Sequence, residues 1–161
     1  MGCLGQSSMT LYYEKMMEKG DKYATFIQEL YQSKGINMFF YQTKTFQFEV
    51  GENNLNIEIK LDCNYKKTGN LYIETHEKTN ENIKNWTESG IYRKDKSEEY
   101  LIGDYDNYWK FPIRTLKTLH KKNKYKNTET KTSKGYLLPI NVADNIAVKW
   151  SKKDDLLFRQ T

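Results

Sequence analysis

Eleven residues separate Asp62 from Glu74, and His76 follows two places later. Ile57-Glu58-Ile59-Lys60-Leu61-Asp62 and Asn70-Leu71-Tyr72-Ile73-Glu74-Thr75-His76 each alternate apolar with polar side chains, the period of a half-buried strand. A turn over Lys66-Lys67-Thr68-Gly69 then closes an antiparallel hairpin, and a register centred near position 68 sets Asp62 opposite Glu74. Leu61 and Ile73 take the core side. Both carboxylates take the other side, within about 6 Å of each other. Two carboxylates at that spacing repel unless water solvates them or a cation lies between. A hard divalent ion such as Mg²⁺ or Mn²⁺ suits an oxygen donor set, and the Thr75 carbonyl adds one more oxygen. The competing reading is an acidic strand face in water.

The elements that must hold this hairpin follow from periodicity and punctuation. Asp21 is placed to cap a helix carrying Ala24, Ile27, Leu30 and Tyr31, with Gly35 as its stop. Leu11 to Met17 reads as a further helical turn or two, inside a segment 1–19 taken as tail or short helix. Residues 38–41 and 45–50 read as strands, and Gly51-Glu52-Asn53-Asn54 as a turn. Residues 77–99 are polar and loop-like, anchored by Trp86 and Ile91-Tyr92. Strands are expected at 100–103 and 108–111, with Gly103 to Asn107 as a turn. After Pro112 a helix turns Ile113, Leu116, Leu119 and His120 inward, with Arg114, Lys117, Lys121 and Lys122 outward. A basic mobile loop at 121–134, a strand at 135–140 and a last helix capped by Asn141, carrying Val142, Ile146 and Val148 to Trp150, complete the chain. The order predicts one α+β or α/β domain over 20–161 with a mixed sheet.

Asp62, the spacing that follows it and Glu74-Thr75-His76 on an apolar strand resemble the hairpin of the PD-(D/E)xK nuclease superfamily. The helix before the strands and the helix–strand unit after them are similar to that superfamily's αβββαβ core. Thr68-Gly69-Asn70-Leu71-Tyr72-Ile73-Glu74 and Thr132-Ser133-Lys134-Gly135-Tyr136-Leu137-Leu138-Pro139 look like segments of its phage members. The resemblance implies a restriction-endonuclease-like fold and a Mg²⁺- or Mn²⁺-dependent nuclease acting on DNA phosphodiesters. It makes Asp62 and Glu74 metal ligands, with Glu52 favoured over Glu58 and Glu49 to complete the set. Position 76 departs from the pattern, because the superfamily usually has lysine there. His76 then orients water or carries charge when protonated, and Lys60, Lys78 and Lys134 are candidates to supply the permanent cation. The other reading is a catalytically inactive member that binds nucleic acid or a host protein; a third is a structural phage protein with no site. A phage or bacterial cytoplasmic protein is implied, with a homodimer left open.

Composition is compatible with these readings without selecting among them. The 161 residues carry a net charge of +5, a pI near 9.0 and a mean hydropathy of −0.89, yet aromatics reach 14%, ample for a core. Of 26 basic residues only Arg93, Arg114 and Arg159 are arginines, and lysine suits phosphate backbones better than base edges. Lys117, Lys121, Lys122, Lys124 and Lys134 form the expected phosphate-tracking edge, the alternative being a solubilising loop. Two cysteines exclude a disulfide scaffold and suggest free thiols in a reducing compartment. Two histidines exclude a His-rich zinc site. No run approaches the roughly 20 apolar residues of a membrane span. Met1-Gly2-Cys3 only partly matches an acylation signal.

Overall fold

The computed structural model describes residues 8–160. The Met1-Gly2-Cys3 signal lies outside them. Helix α1 spans Ser8–Ser33 and runs through Asp21 without a break, so Asp21 is an interior residue and caps nothing. An ion pair from Glu18 to Lys22, 3.1 Å, bridges the Gly20-Asp21 step. Ile27, Leu30 and Tyr31 of the expected stripe are buried, while Ala24 is only half-buried and Tyr23 takes its place in the core.

Among the described residues eight strands build two four-stranded sheets, so the expected α+β class is observed. The first contains β1 (Ile57–Leu61), β4 (Glu99–Gly103), β5 (Asn107–Pro112) and β8 (Val148–Ser151), in the order β1-β4-β5-β8. The second contains β2 (Asn70–Glu77), β3 (Thr87–Glu88), β6 (Asn127–Glu129) and β7 (Ser133–Pro139), in the order β3-β2-β7-β6. β1 pairs with β4 in parallel; every other pairing is antiparallel. α1 covers one face of the first sheet, packing on Ile57, Ile59, Leu101, Tyr108 and Trp150. The opposite face contributes Tyr100, Ile102, Trp109 and Phe111 to a second core, shared with Leu71, Ile73, Tyr136 and Leu138 of the second sheet. Helices α4 (Ile113–Lys121) and α5 (Ile140–Ile146) close that core with Ile113, Leu116 and Ala143.

The hairpin expected between residues 56–62 and 70–76 does not form. β1 and β2 belong to different sheets. The cause is local: the Asp62 carboxylate accepts from Asn64 N at 2.8 Å and Tyr65 N at 3.2 Å, winding Tyr65–Thr68 into a helical turn, α3, where a tight β-turn was expected. Gly69, left-handed at φ 75°, ends that turn. Residues 45–50 are also not a strand. Thr43 Oγ1 accepts from Phe46 N at 3.2 Å and starts α2 (Lys44–Val50). Within 38–41, pairing reduces to one bridge between Phe40 and Asn53. Near the other end, α5 starts directly after Pro139 and needs no cap from Asn141. Val148 to Trp150, expected in the same helix, form β8 and seat Trp150 in the core; α6 (Lys152–Arg159) follows. The basic loop at 121–134 contains β6. Among the described residues no helix is long and apolar enough to cross a membrane.

Candidate functional site

The strict alternation of β1 sends Ile57 and Ile59 toward α1 and leaves Glu58 and Lys60 on the other face. That other face meets the second sheet, so a pattern that reads as solvent-facing is enclosed. Glu58 is 1% exposed. Lys60 Nζ lies 3.2 Å from Glu58 Oε1 and 3.3 Å from Glu74 Oε2, joining β1 to β2 through one ammonium. From the segment before β1 comes Glu52. Arg93, after the 3₁₀ turn Gly90–Tyr92, reaches Glu52 Oε1 and Glu58 Oε2, both at 3.4 Å, and holds Asp95 Oδ2 at 2.9 Å.

Backbone packing fixes Glu74 in place. Ser89 N donates to Thr75 O at 3.0 Å, docking the 3₁₀ turn on β2. Gly90 sits at φ 54°, and a Cβ there would lie 2.1 Å from the Glu74 carbonyl oxygen. Only glycine fits that approach.

Glu52, Glu58, Glu74, Glu77 and Asp95 outnumber Lys60 and Arg93, and the imbalance shows in protonation. Burial, then the charge of Glu58, raises Glu52 from 4.5 to about 7. Burial and Glu74 raise Glu77 as well. Burial alone would lower Lys60, but Glu58 and Glu74 outweigh it and hold the ammonium well above its usual value. One Glu58 oxygen, Oε1, is buried with no aligned hydrogen bond despite its ion pair to Lys60. An all-oxygen set with an under-satisfied buried carboxylate fits a hard divalent cation, with Glu58, Glu74 and Glu52 as the residues that would hold it. As they stand, no three His, Cys, Asp or Glu side chains among the described residues are arranged to hold a metal, and Lys60 separates Glu58 from Glu74.

Of the residues singled out from the sequence, Glu52, Lys60 and Glu74 meet in this cluster, with Glu58, the acid ranked below Glu52. Asp62 serves elsewhere. Besides the two bonds that wind α3, its Oδ2 accepts from Tyr72 N at 3.0 Å, so the carboxylate latches the start of β2. His76 also departs. The pairing of β2 with β7 shifts between Glu74 and His76, leaving Thr75 as a bulge. Beyond it the imidazole turns from Lys60 toward Tyr92 and His120. Lys78 and Lys134 both lie against one indole, 4.4 and 4.6 Å from the Trp86 ring centroid, and neither forms an ion pair with Glu74. Lys117 lies over Tyr92 and Lys124 over Tyr125, on the His76 side, while Lys121, the last residue of α4, and Lys122 after it are exposed. Arg93, Asp95 and the Ser89-Gly90 pair were missed by sequence reasoning. A glycine directly before the apolar Ile91-Tyr92, in an otherwise polar stretch, was the available signal.

Comparison with protein-family models, with curated proteins and with solved structures finds no match to this chain.

Proposed function

We propose that the protein is a metal-dependent nuclease that hydrolyses DNA phosphodiester bonds at the Glu58–Lys60–Glu74 cluster. The observation that carries this reading is the Lys60 ammonium held between two carboxylates from facing sheets, 3.2 and 3.3 Å away. Phosphoryl chemistry uses such a combination, acids to carry a cation and a fixed positive charge for the phosphate oxygens. Mg²⁺ or Mn²⁺, carried by Glu58, Glu74 and Glu52, supplies polarisation of the phosphate and activation of water when bound.

The chain's own groups do the rest. Lys60 Nζ donates to a non-bridging phosphate oxygen and stays charged throughout, because its two carboxylates hold the proton. Glu52 lies against Glu58 and Lys60 as the third acid of the set, and the proton of the attacking water leaves to solvent. Arg93 ties Glu52 to Glu58 and keeps both aimed at one place. In this reading Lys60 fills the role that the superfamily resemblance gives to position 76, and Asp62 positions β2.

The test is cleavage of supercoiled, single-stranded and branched DNA with Mg²⁺ or Mn²⁺. Glu74→Gln and Lys60→Met each abolish cleavage, and His76→Ala does not. Equal activity in wild type and Glu74→Gln rejects the site. A second reading has its own support: Lys60 already neutralises Glu58 and Glu74, as a retired site would. DNA binding without cleavage in wild type, under every metal, selects that nuclease-fold binding protein.

A further inference from the structure

On the other side of the Thr75 bulge lies a pocket of about 340 Å³, lined by Thr75, His76, His120, Asn127, Glu129 and Lys134 among others. The two histidines are oriented by different partners. His120 Nδ1 is 2.7 Å from the Tyr92 hydroxyl, and burial, then Glu88, raises that phenol so that it keeps its proton. Burial and the neighbouring His76 lower His120 from its usual 6.5, which keeps the ring neutral at pH 7. The Tyr92 contact engages Nδ1 and leaves the His120 Nε2 facing away from Tyr92. Thr75 Oγ1 spends its hydrogen on Lys134 O at 3.2 Å, so its contact with His76 Nδ1 at 2.9 Å is donated by the imidazole. Among the described residues neither Nε2 has a hydrogen-bond partner.

The pocket therefore offers two imidazole Nε2 atoms without partners and the Lys134 side chain. Lys117, over the Tyr92 ring, adds a second positive charge beside it. Two acids oppose them: Glu129, 3.8 Å from Lys134 Nζ, and Glu88, the cross-strand partner of His76. We infer that this pocket binds a phosphate monoester, its terminal oxygens on the unpartnered Nε2 atoms of His76 and His120 and on the Lys134 ammonium. A monoester presents more terminal oxygens and more negative charge than a diester, so the pair of lysines makes it the favoured ligand. The pocket volume lies in the usual range for small-molecule sites. The inference goes beyond the nuclease reading and does not rest on it, because no group here belongs to the Glu58–Lys60–Glu74 cluster.

The experiment titrates the full chain, without divalent cations, with inorganic phosphate, a nucleoside monophosphate, and one oligonucleotide bearing a 5′-phosphate or a 5′-hydroxyl. Inorganic phosphate is expected to bind saturably and to shift the ring-proton resonances of both His76 and His120. Lys134→Gln and His120→Gln each weaken binding about tenfold, the loss of one charge-assisted hydrogen bond, and Glu129→Gln tightens it. Glu74→Gln binds phosphate as wild type does, which separates this site from the nuclease reading. Preference for the 5′-phosphorylated strand over phosphate assigns the ligand to a nucleic-acid end; equal preference assigns a free phosphate. Ring resonances that do not move as phosphate is added, or a 5′-hydroxyl strand bound as well as the 5′-phosphorylated one, overturn the inference. The resonance test needs only wild type, so it decides the matter even if a variant fails to fold.

Discussion

Glu74 and His76 are two residues apart on one strand, yet they belong to opposite chemical environments. On the Glu74 side, acids outnumber bases, the groups are enclosed between two sheets, and Glu52 holds its proton up to about pH 7. On the His76 side the charged groups are mostly lysines, Tyr92 meets His120 edge-on and His120 stacks on Tyr136, and a pocket opens to solvent. A strand without a bulge would place residues 74 and 76 on the same face. One unpaired residue, Thr75, separates the two chemistries. Proximity in sequence is thus a poor guide to shared function wherever a ladder slips.

The sharpest way to break this contrast is to disturb the docking that holds Glu74. Gly90→Ala forces a Cβ against the Glu74 carbonyl at a positive φ, and is expected to cost about 4 kcal/mol or more in urea unfolding. A cost below about 1 kcal/mol would mean that the turn and β2 are not in contact. Next in size is Asp62→Ala, which strands the backbone N–H groups of Asn64, Tyr65 and Tyr72 and is expected to cost about 3 kcal/mol. Asp62→Asn, keeping one acceptor oxygen, should lose less. Full stability in Asp62→Ala would remove its latch role.

A smaller effect follows from Glu52. Its folded pKa of about 7 lies above its usual 4.5, so between those values the folded state binds the proton more tightly. Stability from this group is complete below pH 4.5 and falls as pH rises toward 7. Glu52→Gln is expected to flatten that decline, measured as urea midpoints across pH 4 to 8. An identical pH profile in the variant would show that Glu52 is not enclosed with Glu58. The smallest effect is expected from His76→Lys. If the bulge separates the two faces, DNA cleavage is unchanged; a raised rate would place position 76 back at the Glu74 site.

The alternation of residues 57–61 and 70–76 located both strands and named the faces correctly for Ile57, Ile59, Leu71 and Ile73. It could not name their neighbours, because period reports which side a residue takes and nothing about the strand beside it. The charged face of β1 read as wet for the same reason, since no pattern in that segment announces a second sheet above it. Strands β4 and β5 and helix α4 were legible because each is local: a hairpin across a short turn, then a proline-started amphipathic run. Lys60, Glu52 and Glu74 were legible as chemistry-bearing types. Arg93 was not, because its place depends on a turn docked through backbone atoms. The Thr75 bulge left no mark, as threonine suits a regular strand equally well.

The parallel pairing of Ile57 with Glu99 and the antiparallel pairing of Asn70 with Pro139 bear on the order in which the chain folds. Helices α1 and α4 and the β4–β5 hairpin need only near neighbours, whereas both of those pairings close long loops and form slowly. The charged cluster needs both closures at once, since Glu58 and Lys60 arrive with one and Glu74 with the other. Its members therefore cross the folding barrier still hydrated and meet late. Substitutions there are written into how fast the native state opens and leave the rate of its formation almost untouched.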